Sequence, residues 1–594
     1  MSGAPHPHDL LETPAELKSQ PFLYYIKMHK RSFAMGMVCL LLTNILDALP
    51  PLLVGMAIDK ISSGAELRSV AHTLGILIAV TIFLSYFRYY WRIFWGRFHH
   101  SVAADLKNRI FDRYTDLGPS FYSSNSVGQL MSLINNDVNS FRMAIGPGVL
   151  ILMDAIFIVF IVPPLMLSIS PDWTWKTLIL IPLIPFIMSR LMSSIRDTYK
   201  LQQDRFGDMS GISQEIIAGI RVIKSYAQEL NQTRLFNSHS KKYELACNDV
   251  ARVDSLFGPV MEIGVTSGSV ILLFIGAPEV MSGAITIGSF FAFYQYIQRM
   301  VWPMTAIGMG INYIQKGRGS FDRIVELLEQ QHNVPDTGHL SVSRFETLEV
   351  RDLSFTYPGE EAATLKSISF SLRRGETLGL MGPIGSGKTT LVELLCRQYP
   401  VPENTIILNG ISLERYKKQD LMRLFAVVPQ DAFLFSKKVS ENIALGVQDW
   451  NLDEVQGIAK VVNLEQEIVD IPDGYDAYLG ERGINLSGGQ KQRMTLARAL
   501  IRRAQIVILD DSLSAVDAGT EKNILREIRG KIGDGDAARE TTAIIISHRL
   551  ASLRWADRIL ILNSGMLEAE GSHQELMRTS PTYQNLFHLQ AEQS

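Results

Sequence analysis

The chain has 594 residues, 47% of them hydrophobic and only 20% charged, with a net charge of -3. Balanced charge and no gathered basic patch leave no footprint for nucleic acid. Its cysteines, Cys39, Cys247 and Cys396, lie far apart and match neither a metal-ligand spacing nor a disulfide framework.

Residues 1–20, MSGAPHPHDLLETPAELKSQ, lack a basic region followed by an apolar core and are expected to form a cytosolic tail. Residues 21–31 follow with Phe22, Leu23, Tyr24, Tyr25 and Ile26 beside Lys27, Lys30 and Arg31. They read as a short amphipathic segment at the membrane surface, cations toward headgroups. Apolar runs long enough to cross about 30 Å of hydrocarbon come next, near 33–58, 71–95, 143–169, 173–190, 255–277 and 285–314. Six spans are therefore expected. Pro50, Pro51, Pro163, Pro164, Pro182, Pro185 and Pro303 interrupt them, which a bundle tolerates when neighbouring helices satisfy the freed backbone groups.

Loops after the first, third and fifth spans are short and nearly free of Lys and Arg. The segments after the second and fourth are long and carry Arg97, Lys107, Arg109, Arg113, Arg196, Lys200, Arg205 and Arg221. The positive-inside rule places these long segments, and with them both termini, in the cytoplasm. The membrane portion is read as 21–329, a polar link as 330–345 with Pro335 and Gly338, and a soluble strand-and-helix domain with a helical tail as 346–594.

Asp47, Arg88, Arg92, Asp154 and Glu262 are ionisable groups within spans, functional by default. Two readings stay open for them: attraction of cationic amphiphiles by an acid, or a pair between Arg88 and one of the acids. Span six is rich in aromatic and methionine residues, among them Phe290, Phe293, Tyr294, Tyr296, Met300 and Trp302. Such side chains repack around varied apolar ligands, although half or more must face lipid or neighbouring helices.

In the soluble half, Gly379–Thr390 holds G-x-x-x-x-G-K-T between an apolar strand and a helix. Gly382, Pro383, Ile384, Gly385, Ser386 and Gly387 form a turn whose glycines let backbone N–H groups point inward around the β-phosphate, Lys388 reaches the β and γ oxygens, and Thr389, followed by Thr390, offers a hydroxyl to Mg²⁺. Asp510 closes the strand Ile506–Leu509 and is the expected acid for Mg²⁺. Leu486, Ser487, Gly488, Gly489 and Gln490 open a further helix, whose positive end suits a phosphate.

With phosphate loop, LSGGQ and the acid pair Asp510-Asp511 in this order, 346–580 resembles an ABC nucleotide-binding domain, and about 20–580 resembles an ABC exporter half-transporter. The resemblance implies an all-α polytopic membrane domain, six transmembrane helices with long cytoplasmic extensions of the type IV exporter kind, fused to an α/β P-loop ABC ATPase. It implies ATP and Mg²⁺ as cofactors. Tyr357 then matches the aromatic that stacks on adenine, Gln430 the glutamine that touches Mg²⁺ and the attacking water, and His548 the residue that hydrogen-bonds the γ-phosphate. Asp517 matches the loop that crosses between two cassettes, Gly480–Gly483 an exporter-specific segment, and Phe121–Asp137 with Ile212–Glu229 the two coupling regions. Signature residues in the family cap ATP held by a second copy, so the resemblance also implies a dimer.

Asp511 departs from the family's usual glutamate. Aspartate retracts the water-polarising carboxylate by roughly 1.5 Å, a misplacement that can cost on the order of 100-fold in rate. This resembles the degenerate-site half of heterodimeric bacterial multidrug exporters, so the expected partner is an unlike half-transporter with Glu at that position. A slow homodimer in which aspartate serves is the alternative. The expected activity is ATP-driven export of hydrophobic or amphipathic small molecules from a bacterial inner membrane, catalytic roles falling to Asp511, His548 and Gln430. A lipid or lipid-linked glycan flippase, and an ATP-binding regulatory half with little turnover, stand as alternatives. Peptide export stays open, with no peptidase domain ahead of the spans.

Overall fold

The computed structural model describes residues 14–179, 183–330, 334, 336–480, 483, 486–514, 516–528 and 541–591. They form two compact units, Met1–Asp116 with Ser126–Gln330, and Leu117–Asn125 with Gln331–Ser594.

The first unit is helical. In chain order come α1 (Ala15–Ser19), α2 (Pro21–Met28), α3 (Lys30–Asp47), α4 (Leu49–Ser62) and α5 (Leu67–Asp116). A short α6 (Pro119–Ser124) belongs to the second unit. Then follow α7 (Val127–Ser132), α8 (Val138–Met143), α9 (Val149–Ile169), α10 (Pro171–Leu178), α11 (Leu183–Ala218), α12 (Ile220–Ser225), α13 (Glu229–Asp254), α14 (Phe257–Met281) and α15 (Ile287–Glu329). The six expected spans correspond to α3–α4, α5, α7–α9, α10–α11, α13–α14 and α15, with residues 180–182 of the fourth outside the described residues. Among the described residues, four helical runs are long and apolar enough to cross a membrane by composition alone: Lys30–Ser62, Leu67–Asp116, Val127–Ile169 and Glu229–Met281. Helix α15 has the length, but Gln295, Gln298 and Arg299 dilute its apolar run.

Two local features tie α15 to the bundle. At the α3–α4 junction, Pro50 and Pro51 have no N–H to offer the carbonyls one turn earlier. Helix α15 supplies a donor to one of them, the Arg299 guanidinium bonding the Asp47 carbonyl, and Tyr296 Oη bonds the adjacent Ala48 carbonyl at 2.7 Å. Farther along α4, Asp59 accepts from the Gly288 N–H at 2.6 Å and the Thr286 hydroxyl at 2.7 Å, so an acid caps the positive end of α15. Here the two backbones touch, since a Cβ on Gly288 would lie 1.9 Å from the Gly55 carbonyl oxygen. Small residues permit this approach between membrane helices.

In the leading segment residues 15–19 are helical, and Leu17 and Tyr25 are fully buried. Phe22 stands edge-on to Phe141 at 5.4 Å, which packs on Phe321 at 4.6 Å, and Tyr25 donates to Asp105 at 2.9 Å. Lys27 pairs with Glu16, and both side chains stay about half exposed. An aromatic pocket between α5, α8 and α15 takes the apolar side that an amphipathic pattern alone assigns to lipid.

The second unit contains two sheets. Strands β1 (Thr347–Phe355), β2 (Leu365–Arg373), β3 (Thr377–Met381), β4 (Ile406–Leu408), β5 (Ile411–Ser412), β6 (Phe425–Val428), β7 (Ile506–Asp510), β8 (Thr542–Ile546), β9 (Arg558–Asn563) and β10 (Met566–Gly571) build them. An antiparallel sheet has the order β2-β1-β4-β5; the larger has the order β10-β9-β3-β8-β7-β6, parallel except at the β10 edge. Strand β7 is apolar up to Asp510 because both faces are covered: Ile506 and Ile508 join one core, Val507 and Leu509 the other. Carboxyl ends of β3, β7 and β8 therefore open on one edge, where ligands of parallel sheets bind. The polar link divides: Asp336 accepts from the Lys418 N–H at 3.0 Å and Phe345 is fully buried, so its second half is built into this unit. Residues 331–333 and 335 lie outside the described residues.

Candidate functional site

The phosphate loop joins β3 to the helix Lys388–Leu395. Gly387, the last loop residue, has φ +95°, and a Cβ there would meet Leu365 at 2.5 Å, so only glycine fits. Lys388 is buried and donates to the carbonyls of Gly382 at 2.9 Å and Pro383 at 2.8 Å, with Ser386 Oγ at 3.3 Å. Burial lowers the pKa of its ammonium. Pro383, Ile384 and Gly385 are the exposed residues of the loop.

Across the sheet edge, Thr389 Oγ1 donates to Asp510 Oδ2 at 3.0 Å. Asp510 is buried at the end of β7; that burial raises its carboxyl above the usual range, and the Thr389 hydrogen bond, Lys388 and His548 pull against it. The hydroxyl and carboxylate paired from sequence do meet.

Asp511 follows with φ +44°, its N–H donating to the Ile546 carbonyl at 2.9 Å and its carbonyl accepting from Ser514 Oγ at 2.9 Å. Its Oδ1 is buried without a hydrogen-bond partner among the described residues. Such an oxygen is costly to leave unmatched.

A cavity of about 670 Å³ opens over the loop, lined by Tyr357, Thr364, Gly385, Lys388, Thr389 and Thr390 among others. That is ample for a nucleotide-sized ligand. Tyr357 stands edge-on to Phe355 at 5.1 Å and Tyr399 at 5.2 Å, and its hydroxyl lies 2.9 Å from both Thr390 Oγ1 and Glu393 Oε2. Glu393 escaped sequence reasoning; its place one turn beyond Thr390, on the face turned to Tyr357, was the available signal.

Other predicted residues do not line this cavity. Gln430 is exposed after β6 and His548 half-buried after β8. Asp517 accepts from the Thr520 N–H at 2.9 Å and so caps the helix Ala518–Ile528; these bonds hold its carboxyl below the usual range. Ser487 and Gln490 form a reciprocal capping box that opens the helix Gly488–Ile501, with Gly488 and Gly489 in its first turn. Leu486 packs against the core beneath. Glu481 and Arg482 of the exporter-specific segment, and Ala515, lie outside the described residues. Of the coupling regions, Leu117–Asn125 belongs to the cassette unit, whereas α12 belongs to the membrane unit with Ile220, Val222 and Tyr226 exposed.

Intramembrane charges form two storeys between α3 and α15. Asp47 meets Arg299 at 2.8 Å and Arg88 at 3.4 Å. One turn away, Asp154 accepts from Asn44 at 3.0 Å and from the Trp302 indole at 3.2 Å. The expected Arg88 pair exists, but Arg299 was missed, although a lone cation inside an apolar span is itself a signal. Phe293, Tyr296 and Met300 of α15 are buried with Trp173, while Tyr294 and Trp302 are exposed.

A phosphate loop facing the buried Asp510, carried on the same chain as a polytopic apolar bundle, defines an ATP-coupled membrane transporter. Residues 33–304 match the ABC transporter transmembrane region, and 365–514 match the ABC transporter domain. The probable multidrug resistance ABC transporter ATP-binding/permease protein YheI of Bacillus subtilis (strain 168) is 34% identical over 96% of both chains. The multidrug resistance-like ATP-binding protein MdlA of Escherichia coli (strain K12) is 32% identical over 96% of this chain and 95% of its own. A bacterial Atm1-family ABC exporter with ATP bound shares the fold, with TM-score 0.77 and 23% identity over 94% of this chain and 99% of that one. The chain belongs to the ABC transporter family: an integral membrane protein of type IV exporter fold whose ATPase domain binds nucleotide.

Proposed function

We propose that the chain is one half of an exporter that moves hydrophobic or amphipathic compounds out of the cytoplasm or inner leaflet of a bacterial cell membrane, cassette and termini facing the cytoplasm. The observation that carries this reading is the meeting of Thr389, Lys388 and Asp510 on a chain that matches, end to end, relatives named for multidrug resistance.

Glycine-held loop N–H groups and the Lys388 ammonium offset triphosphate charge, and Tyr357 offers a face to adenine. A hard divalent cation takes oxygen ligands; the Thr389 hydroxyl, the Asp510 carboxylate and the unmatched Asp511 oxygen are such a set, with Gln430 as a further ligand. Mg²⁺, when bound, draws charge from the phosphates. Asp511 and His548 orient the attacking water. The helix start at Ser487–Gly489 serves a nucleotide held by the partner's loop, so nucleotide binding closes two cassettes and hydrolysis releases them.

The partner in this reading is an unlike half-transporter with Glu at the Asp511 position. That makes this cassette's own site the slow one, while its intact signature completes the faster site. The flippase alternative asks for free basic groups toward phosphate headgroups. Arg88 turns to Asp47, as does Arg299, which leaves Arg92, exposed over the Trp91 ring, as the group that reading would use.

Asp154 has no basic side chain at ion-pair distance among the described residues, and an exposed indole beside it. A carboxylate with an aromatic face suits an organic cation. Asp154→Asn is therefore expected to lower export of a permanently cationic dye on the order of tenfold relative to a neutral dye. The measurement is ATP-dependent uptake into inverted vesicles by the co-expressed pair, with the lysine of the partner's phosphate loop replaced by alanine as the inactive control. Brisk ATP turnover with no movement of either dye would contradict the exporter reading.

A further inference from the structure

We infer that Glu393 is a positioning residue for nucleotide binding: it locks the Tyr357 ring to the phosphate-loop helix, so that base platform and phosphate grip move as one body. This rests on the nucleotide-site reading above and goes beyond it, since no recognised motif contains Glu393.

Tyr357 comes from the loop after β1, in the antiparallel sheet, whereas the phosphate grip belongs to β3 and its following helix. Two separately built parts must therefore agree on where a nucleotide lies. Stacking alone tolerates sliding and tilt, because it is non-directional within the plane of the ring. A second constraint is needed to fix the platform.

The structure supplies it at the phenol. Tyr357 Oη donates to Glu393 Oε2 at 2.9 Å and stands 2.9 Å from Thr390 Oγ1, which donates in return. Thr390 adjoins the phosphate-binding Thr389, and Glu393 lies one turn farther on the same helical face. Phe355 and Tyr399 hold the ring from the sides at interplanar angles of 80° and 88°. Burial raises the Glu393 carboxyl above its ordinary range, as does the nearby Asp510, while the Tyr357 bond opposes them. Half-buried carboxylates of this kind are kept by a hydrogen bond. Ring, helix and loop are thus one hydrogen-bonded unit.

The test titrates the full-length protein in detergent with ATP and, separately, with inorganic tripolyphosphate, which has no base to stack. Glu393→Ala and Tyr357→Phe are each expected to weaken ATP about fivefold, the worth of one such hydrogen bond, and to leave tripolyphosphate unchanged. Glu393→Gln keeps an acceptor and is expected to bind ATP like the wild type. The double variant should be no worse than either single one, because both remove the same bond. Equal loss of ATP and tripolyphosphate in Glu393→Ala, or additive losses in the double variant, would overturn the proposal. If Glu393→Ala does not fold, Tyr357→Phe and Glu393→Gln carry the test, and an unchanged ATP affinity in Tyr357→Phe overturns it. Tyr357→Ala separates the two levels: should it bind ATP as the wild type does, the adenine platform itself is misassigned.

Discussion

Replacing Asp511 by glutamate is expected to raise ATP turnover at this cassette's own site on the order of 100-fold. The added methylene advances the carboxylate by about the 1.5 Å of one C–C bond, enough to reach the water that aspartate polarises from too far back. Nothing else at the site has to change, since Lys388, Thr389 and Asp510 are already assembled. The substitution has a cost in stability. Asp511 has φ +44°, a region that aspartate tolerates through its short polar side chain and that longer residues enter at about 1 kcal/mol or more. Faster turnover with a melting temperature lower by about 2 °C is the joint expectation. The rate should be read in an assembly whose other site is inactivated, so that the gain belongs to this phosphate loop. An unchanged rate would mean that something other than carboxylate reach limits the site.

Gly288→Ala is expected to have the largest effect on the membrane bundle. Its methyl would lie 1.9 Å from the Gly55 carbonyl oxygen and 2.6 Å from Asp59 Cγ, so α4 and α15 must part. Overpacking of this kind costs about 1–3 kcal/mol. Parting the helices also strains the 2.6 Å bond from the Gly288 N–H to Asp59, which caps α15. Gly308→Ala on the same helix meets no atom within 4 Å and is the matched control. Thermal aggregation of both variants in detergent should separate them, with Gly288→Ala less stable by several degrees and Gly308→Ala unchanged or slightly more stable.

Contiguous chemistry was legible in the sequence. The phosphate loop, the helix start at Leu486–Gln490, and the acid at the end of an apolar strand each depend on local geometry, which spacing records directly. Partners far apart along the chain were not. Arg299 finds Asp47 252 residues away and Glu393 finds Tyr357 36 residues away, through packing that no periodicity encodes. In residues 21–31 the packing of Phe22 and Tyr25 on the bundle was illegible for another reason: an amphipathic pattern predicts a buried face without saying whether lipid or protein covers it. The capping of the helix Ala518–Ile528 by Asp517, through the Thr520 N–H, was a local bond that its place in a motif left unread.

The account stands on a cassette complete but for Asp511, working beside an unlike partner. ATPase activity of the purified wild-type chain, alone and co-purified with a half-transporter carrying Glu at the matching position, tests this most directly. The lone chain is predicted to turn over on the order of 100-fold more slowly than the mixed pair. Equal rates per cassette in the two preparations would contradict the weak-site assignment and leave a working homodimer in its place.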